Sequence, residues 1–294
     1  MKVGLTLPQG CDREYLGLDP ETAWRRTVEI ALLAEDAGFE SLWLYDHFQV
    51  DPPPEPAIVF EPGAELAALA AVTGRARLGH LVMAAAYRNP ALTAKMISTV
   101  DVISGGRAIL GIGAGWKEDE WLAYGYGFPD ARTRLGILED HLEIITRMFS
   151  PGAATFTGAH AHVRDAIHEP KGLQTPRIPI LVGGNGPNVT WRLAARFADE
   201  LNLDALTPEQ VEAALPVIAD RCRELNRDPS TLPVSVHIWG EAGDADPGAA
   251  RRERYLEYQE VGVDRIIVQG YPGVTRPDIL ETLIDDCAGA GLLG

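Results

Sequence analysis

Cysteine is scarce in this sequence. The 294 residues hold three, Cys11, Cys222 and Cys287, too far apart for a zinc site and too few for a disulfide framework, which fits a reducing cytoplasm. Basic charge is also short: 26 Lys and Arg stand against 42 Asp and Glu, a formal net charge of -16. That balance argues against a nucleic acid or an anionic membrane as partner, since both need a basic footprint. No apolar run is long enough to span a bilayer, and the alanine-rich stretch 64–72 is short and carries Glu65, so it reads as a buried helix. The opening MKVGLTLPQG runs directly into a strand pattern, so no signal peptide is expected.

What is present alternates. A strand over 3–7 is followed by Asp19-Pro20-Glu21-Thr22, a cap with proline at the first helical position, and by a helix that Gly38 stops. A strand over 41–45 delivers Asp46 and His47, and a proline-rich loop leads to a helix over 63–73. A strand over 78–83 and a helix opened by Pro90 complete the third unit. The fourth strand is RAILGIGAGW, residues 107–116, which ends in Gly111, Gly113 and Gly115 ahead of Trp116. Alternate glycines there predict a loop where backbone closely approaches something, a flat cofactor or a phosphate, or else only a tight turn.

After an acidic and aromatic loop (Glu118, Glu120, Trp121, Tyr124, Tyr126), Leu135, Leu138, Leu142, Ile145 and Phe149 repeat at helical spacing. Residues 151–177 break the alternation and read as an inserted hairpin. Strands over 178–182, 200–203, 234–239 and 265–269, each with a helix after it, bring the count to eight. One α/β domain over 1–294 is therefore predicted, a (β/α)8 TIM barrel with an insertion between helix 4 and strand 5.

In such barrels chemistry sits at the C-terminal ends of the strands. Those ends carry Gln9, Asp46, His47, the 84–89 loop, 113–116, 183–186, Asn202, Glu241 and 269–271. Asp46-His47 pairs an acceptor with a group that titrates near neutrality, suited to proton transfer or to structural hydrogen bonding. Gly183, Gly184, Asn185 and Gly186, before a helix with Pro187 at its start, form a phosphate seat or a plain turn. His80 and His237 fall inside strands and read as packed. His141 and the run Arg251-Arg252-Glu253-Arg254 read as solvated helix faces. His160 and His162 alternate on a strand without a third ligand, so no metal site is predicted.

Five long motifs then match a known family: AEDAGFESLWLYDHF, YRNPALTAK, DVISGGRAILGIGAGWKEDEW, FPDARTRLGILEDHLEIITRMF and ILVGGNGPNVTWRLAARFADELN. The chain resembles the bacterial luciferase-like flavin and deazaflavin oxidoreductases, most closely the subgroup that uses coenzyme F420. The resemblance implies a non-prolyl cis peptide at Leu81-Val82, with the ring laid across the barrel mouth against it. It makes His47 the catalytic acid or base. It assigns Asp46, Leu81, Val82, Gly113, Gly115, Trp116, Gly183, Gly184, Asn185, Gly186 and Asn202 to the cofactor.

Departures narrow the reading. Gly113 stands where luciferases carry a reactive cysteine, and Trp116 and Asp51 stand where F420-dependent sugar-phosphate dehydrogenases carry glutamate and tryptophan. Thr207 lies where a lysine usually meets the acidic tail of F420. The expectation is hydride transfer between F420 and a small organic substrate in a cytoplasmic homodimer. The alternatives are an FMN-dependent monooxygenase supplied by a flavin reductase and a non-catalytic flavin-binding protein.

Overall fold

The computed structural model describes residues 1–53, 56–239, 247–270, 274 and 276–293. Its strands are β1 (Lys2–Thr6), β2 (Ser41–Leu44), β3 (Arg77–His80), β4 (Met83–Ala84), β5 (Ala108–Gly113), β6 (Ala154–Thr157), β7 (His162–Ala166), β8 (Ile180–Gly183), β9 (Glu200–Asp204), β10 (Val234–Ile238) and β11 (Arg265–Gln269). The helices among the described residues are α1 (Pro20–Ala37), α2 (Pro62–Val72), α3 (Pro90–Ile103), α4 (Glu118–Ala123), α5 (Ala131–Phe149), α6 (Thr190–Phe197), α7 (Pro208–Glu224), α8 (Ala249–Glu260) and α9 (Pro277–Gly289).

Nine strands form one parallel sheet, in the order β3-β2-β1-β11-β10-β9-β8-β5-β4, and the pairing of β3 with β5 closes it. Since β3 and β4 are two parts of one stave, the sheet is the predicted eight-staved (β/α)8 barrel. β6 and β7 pair antiparallel as a separate hairpin, the predicted insertion.

Helix boundaries follow from local chemistry. Asp19 accepts a hydrogen bond from Thr22 N at the start of α1, and Gly38, at φ 98°, ends it. Thr207 and Gln210 form a capping box on α7. Two boundaries differ from the sequence reading. The 118–128 loop contains the short helix α4, and α6 begins at Thr190, so Pro187 sits in the preceding turn.

Alternation along each strand sorts the core into two clusters. Outward residues pack under the helices, whereas Trp43, Leu81, Ile109, Leu181 and Ile267 form a separate buried cluster that fills the barrel. Room for the Trp43 ring comes from its neighbours. A Cβ at Gly4 or Gly79 would lie 2.6 Å from that ring.

Candidate active site

The third stave breaks at its C-terminal end. β3 stops at His80, β4 starts at Met83, and the Leu81-Val82 peptide between them is cis. Three glycines shape the socket around this bulge. A Cβ at Gly111 would meet His80 O at 1.8 Å, and Cβ atoms at Gly113 and Gly183 would meet Val82 at 2.7 and 2.9 Å. Gly115, at φ 77°, would place its Cβ 2.7 Å from Trp121. The close approach that the glycine run predicts is therefore real, but the chain approaches its own bulge and Trp121.

Asp46 is nearly fully buried at the end of the second stave. Its Oδ2 accepts from Ala84 N and from Arg88, both at 2.8 Å. Its Oδ1 is buried with no hydrogen-bond partner.

His47 Nδ1 lies 3.1 Å from Glu120 Oε2. Glu120, on α4 and wholly buried, also accepts from Phe48 N at 2.7 Å, Gln49 N at 3.2 Å and the Tyr87 hydroxyl at 2.9 Å. Burial works to raise its pKa, but the bonds from His47, Phe48 N and Tyr87 prevail and hold it below the usual carboxylate range. An ionised carboxylate can only accept, so the hydrogen sits on Nδ1 of His47 and Nε2 is left to exchange protons.

A second wall comes from the ends of β9 and β10. The Tyr45 hydroxyl is 3.0 Å from His237 Nε2 and accepts from Gln269 at 3.1 Å. His237 Nδ1 lies 3.2 Å from Asp204 Oδ1, which also accepts from Trp239 Nε1 at 2.8 Å. The Tyr45 and Trp239 rings stack in parallel, centroids 6.0 Å apart.

These walls enclose a cavity of about 240 Å³. Asp46, His47, Leu81, Val82, Gly113, Gly115, Trp116, Gly183, Gly184 and Asn202 all line it. Trp116 stands on the rim, 64% exposed and edge-on to His47. Asn202 bonds Ser235 at 3.0 Å. Asn185 and Gly186 are not among the lining residues: Asn185 exchanges hydrogen bonds with the backbone of Asp204 at 2.8 and 2.9 Å, and Gly186 abuts Thr190. Gly184 and Thr190 do line the cavity, and α6 begins there with no side-chain cap. The Trp191 N–H is spent on the Gly186 carbonyl at 3.0 Å, and with no side-chain cap at this terminus the positive end of the helix dipole faces the turn.

Of the other rim positions, Gln9 holds the His47 and Phe60 carbonyls, each at 3.1 Å, and Asn89 caps α3. Glu241 and Tyr271 lie outside the described residues.

Sequence reasoning placed Tyr87 in the 84–89 rim loop and Glu120 in the acidic loop without giving either a role, missed Tyr45, Asp204 and Trp239, and set His237 aside as packed. For the β9 and β10 residues a signal existed. In ELNLD and VSVHI the polar Asn202, Asp204, Ser235 and His237 alternate with leucine, valine and isoleucine, which turns them toward the barrel interior. No comparable pattern marks Glu120.

Three readings elsewhere are corrected. His141 is buried, and burial pushes it down to about 4. Arg251 is buried against Asp286 at 3.3 Å. His160 lies in the hairpin turn, where its N–H bonds Asp140. Cys11, Asp12 and Glu14 cluster beside the mouth, but Glu14 accepts from Gln9 N and Asp12 N and so closes a turn. Burial, and then the charge of Glu14, pushes Asp12 up to about 6. Among the described residues, no helix is long and apolar enough to cross a membrane.

With a closed barrel and a cavity at its C-terminal mouth established, relatives become informative. The family model for luciferase-like monooxygenases matches residues 1–265. The chain belongs to the luciferase-like monooxygenase family.

Among relatives in this luciferase-like family, an F420-dependent glucose-6-phosphate dehydrogenase of Kineococcus radiotolerans is 35% identical over 179 residues, 59% of this chain and 50% of that one. A 5,10-methylenetetrahydromethanopterin reductase of Methanopyrus kandleri is 27% identical over 229 residues, 74% of this chain and 62% of that one. The chain thus spans between half and 62% of the length of these curated relatives. An F420-dependent secondary alcohol dehydrogenase, solved with an F420-acetone adduct, matches 98% of both chains with a TM-score of 0.82 at 18% identity. That likeness is one of fold.

Proposed function

We propose that the chain is an oxidoreductase that binds coenzyme F420 in this cavity and exchanges a hydride with a small organic substrate. The carrying observation is the His47–Glu120 pair in the wall of a cavity whose Asp46 Oδ1 is buried without a partner. One relative, named F420-dependent, supports the cofactor, and the other, a 5,10-methylenetetrahydromethanopterin reductase, supports redox chemistry on an organic substrate.

The residues present fit such a group. The Leu81-Val82 bulge offers an apolar wall to a flat ring, and Asp46 Oδ1 offers an acceptor to a ring N–H. The uncapped start of α6, with Gly184 and Thr190, suits a phosphate. When bound, the deazaflavin supplies the hydride-exchanging carbon. Glu120 keeps the His47 ring oriented and its Nε2 available, so His47 gives or takes the substrate proton that accompanies the hydride. Trp116, Trp121 and Tyr87 shape an apolar surround. A sugar phosphate is disfavoured, because Lys117, the one lysine or arginine among the described lining residues, pairs with Asp51 at 2.7 Å and Asp119 at 3.6 Å.

One observation favours FMN instead. Thr207 spends its hydroxyl on the α7 cap, where it bonds Glu209 and Gln210 N, and so supplies no basic seat for the acidic tail of F420. A flavin ending in a single phosphate needs only the α6 terminus.

The test is His47→Ala, assayed with F420 and a panel of acceptors and donors. Cofactor affinity is expected to stay within about threefold while turnover falls about 10²- to 10⁴-fold. Unchanged turnover would remove His47 from the reaction. Absence of turnover in the unmodified protein with every partner would favour a flavin-binding protein without catalysis.

A further inference from the structure

The aspartate, lysine and histidine residues lining the cavity, among those described, are Asp46, His47, Lys117, Asp204 and His237. Asp46 pairs with Arg88, His47 with Glu120, Lys117 with Asp51 and Asp119, and His237 with Asp204. Asp204 differs. Its Oδ1 accepts from His237 and Trp239, whereas its Oδ2 has no hydrogen-bond or ion-pair partner among the described residues, and the side chain is about half exposed, 53%, at the cavity wall. The segments 240–246 and 271–275 contain no lysine or arginine to neutralise it.

The carboxylate is held in place rather than left to wander. Asn185 bonds both the N–H and the carbonyl of Asp204. The chain Gln269 to Tyr45 to His237 to Asp204 runs with every donor pointing the same way when His237 is neutral, and it ends on Oδ1. Burial works to raise the Asp204 pKa, but the bonds from His237 and Trp239 outweigh it and keep the group anionic. Beside it, Trp239 backs one face onto Tyr45 and is 36% exposed. The bond from Trp239 Nε1 places the carboxylate at the edge of the indole, so the anion attracts a cation by charge while the exposed indole offers an apolar surface to a ring.

We propose that Asp204 and Trp239 form the recognition site for a protonated nitrogen carried by a planar organic substrate. The proposal deepens the oxidoreductase reading and rests on it for the identity of the cavity as the substrate site. The substrate class is an aromatic or conjugated amine, with the ring against Trp239 and the ammonium at Asp204 Oδ2.

The probes are tryptamine, tryptophol and indole-3-acetate, which share a ring and differ in charge, titrated calorimetrically with and without saturating F420. Tryptamine is expected to bind about tenfold more tightly than tryptophol, a difference of about 1.4 kcal/mol, and indole-3-acetate more weakly still. Asp204→Asn keeps an acceptor for His237 and Trp239, and it should bring tryptamine to within about threefold of tryptophol; Asp204→Glu should restore the preference in part. Near-UV circular dichroism monitors the fold of each variant. The proposal is overturned if indole-3-acetate binds as tightly as tryptamine, if Asp204→Asn keeps the preference, or if tryptamine does not bind at millimolar concentration. F420 titrations of the same samples report separately on the cofactor. Failure of F420 to bind while the amine preference stands removes the cofactor reading alone, and the reverse outcome removes only this one.

Discussion

Glu120 accepts four hydrogen bonds from four donors, and one of them sets the orientation of His47. A carboxamide at this position presents an N–H where an acceptor is needed, so Glu120→Gln should reverse the His47 tautomer or turn the ring. Turnover is expected to fall about 10²-fold with cofactor affinity nearly unchanged, which separate cofactor titrations and steady-state rates will check. Stability should fall by about 2 kcal/mol at neutral pH, because hydrogen bonds to a charged group are lost. The pH dependence has a definite sign. The folded protein holds Glu120 below its ordinary 4.5, so its contribution is fully present above that value and is lost as pH falls through the lowered one. Denaturant titrations should therefore show the difference between the two proteins narrowing only below about pH 4.5.

At the scale of elements, the glycine-rich end of β5 and the broken third stave are one device. Gly111, Gly113 and Gly183 leave room for the His80 carbonyl and the Val82 side chain, so the bulge seats itself against β5 and β8. Gly111→Ala would drive a methyl group into main chain, where nothing flexible can give. The expected cost is about 3 kcal/mol, read as a fall in the denaturation midpoint at unchanged slope. Alternate glycines in RAILGIGAGW announced a close backbone approach, but not what is approached. The Val82 partner comes from the preceding βα unit, and sequence spacing within one element says nothing about a neighbour across a barrel. The same limit hid the site's second half: Glu120 and His47 are 73 residues apart, and Tyr45 and His237 are 192 apart. Asp46 and His47 were legible because they follow one strand directly. Asp204 and His237 were legible in principle from alternation along β9 and β10, whereas His237 was set aside because strand histidines are commonly packed and satisfied; this one is satisfied and faces the cavity.

For the whole molecule, eight strand–helix alternations were enough to require a closed parallel barrel, since each apolar strand needs neighbours on both sides and cover on its outer face. What alternation does not reveal is how the far end is tied. There Arg265, at the start of β11 and only 3% exposed, reaches Glu200 at 3.1 Å, Ser41 at 2.6 Å and Glu40. It links the entry ends of β2, β9 and β11. Arg265→Ala takes the shared cation from Glu200 and Glu40, leaving Glu40 only Lys2 at 3.8 Å, and should cost about 3 kcal/mol. Because this network lies at the end of the barrel remote from the mouth, cofactor affinity below the unfolding transition should remain near that of the unmodified protein.

F420 is the group proposed for the mouth of this barrel. Equilibrium titration of the purified protein with F420 and, separately, with FMN, followed by the visible absorption of each ring, tests it most directly. Saturable one-to-one binding of F420, weakened at least about tenfold by Asp46→Ala and clearly tighter than that of FMN, is the result expected. Tight FMN binding with no detectable binding of F420 would contradict it.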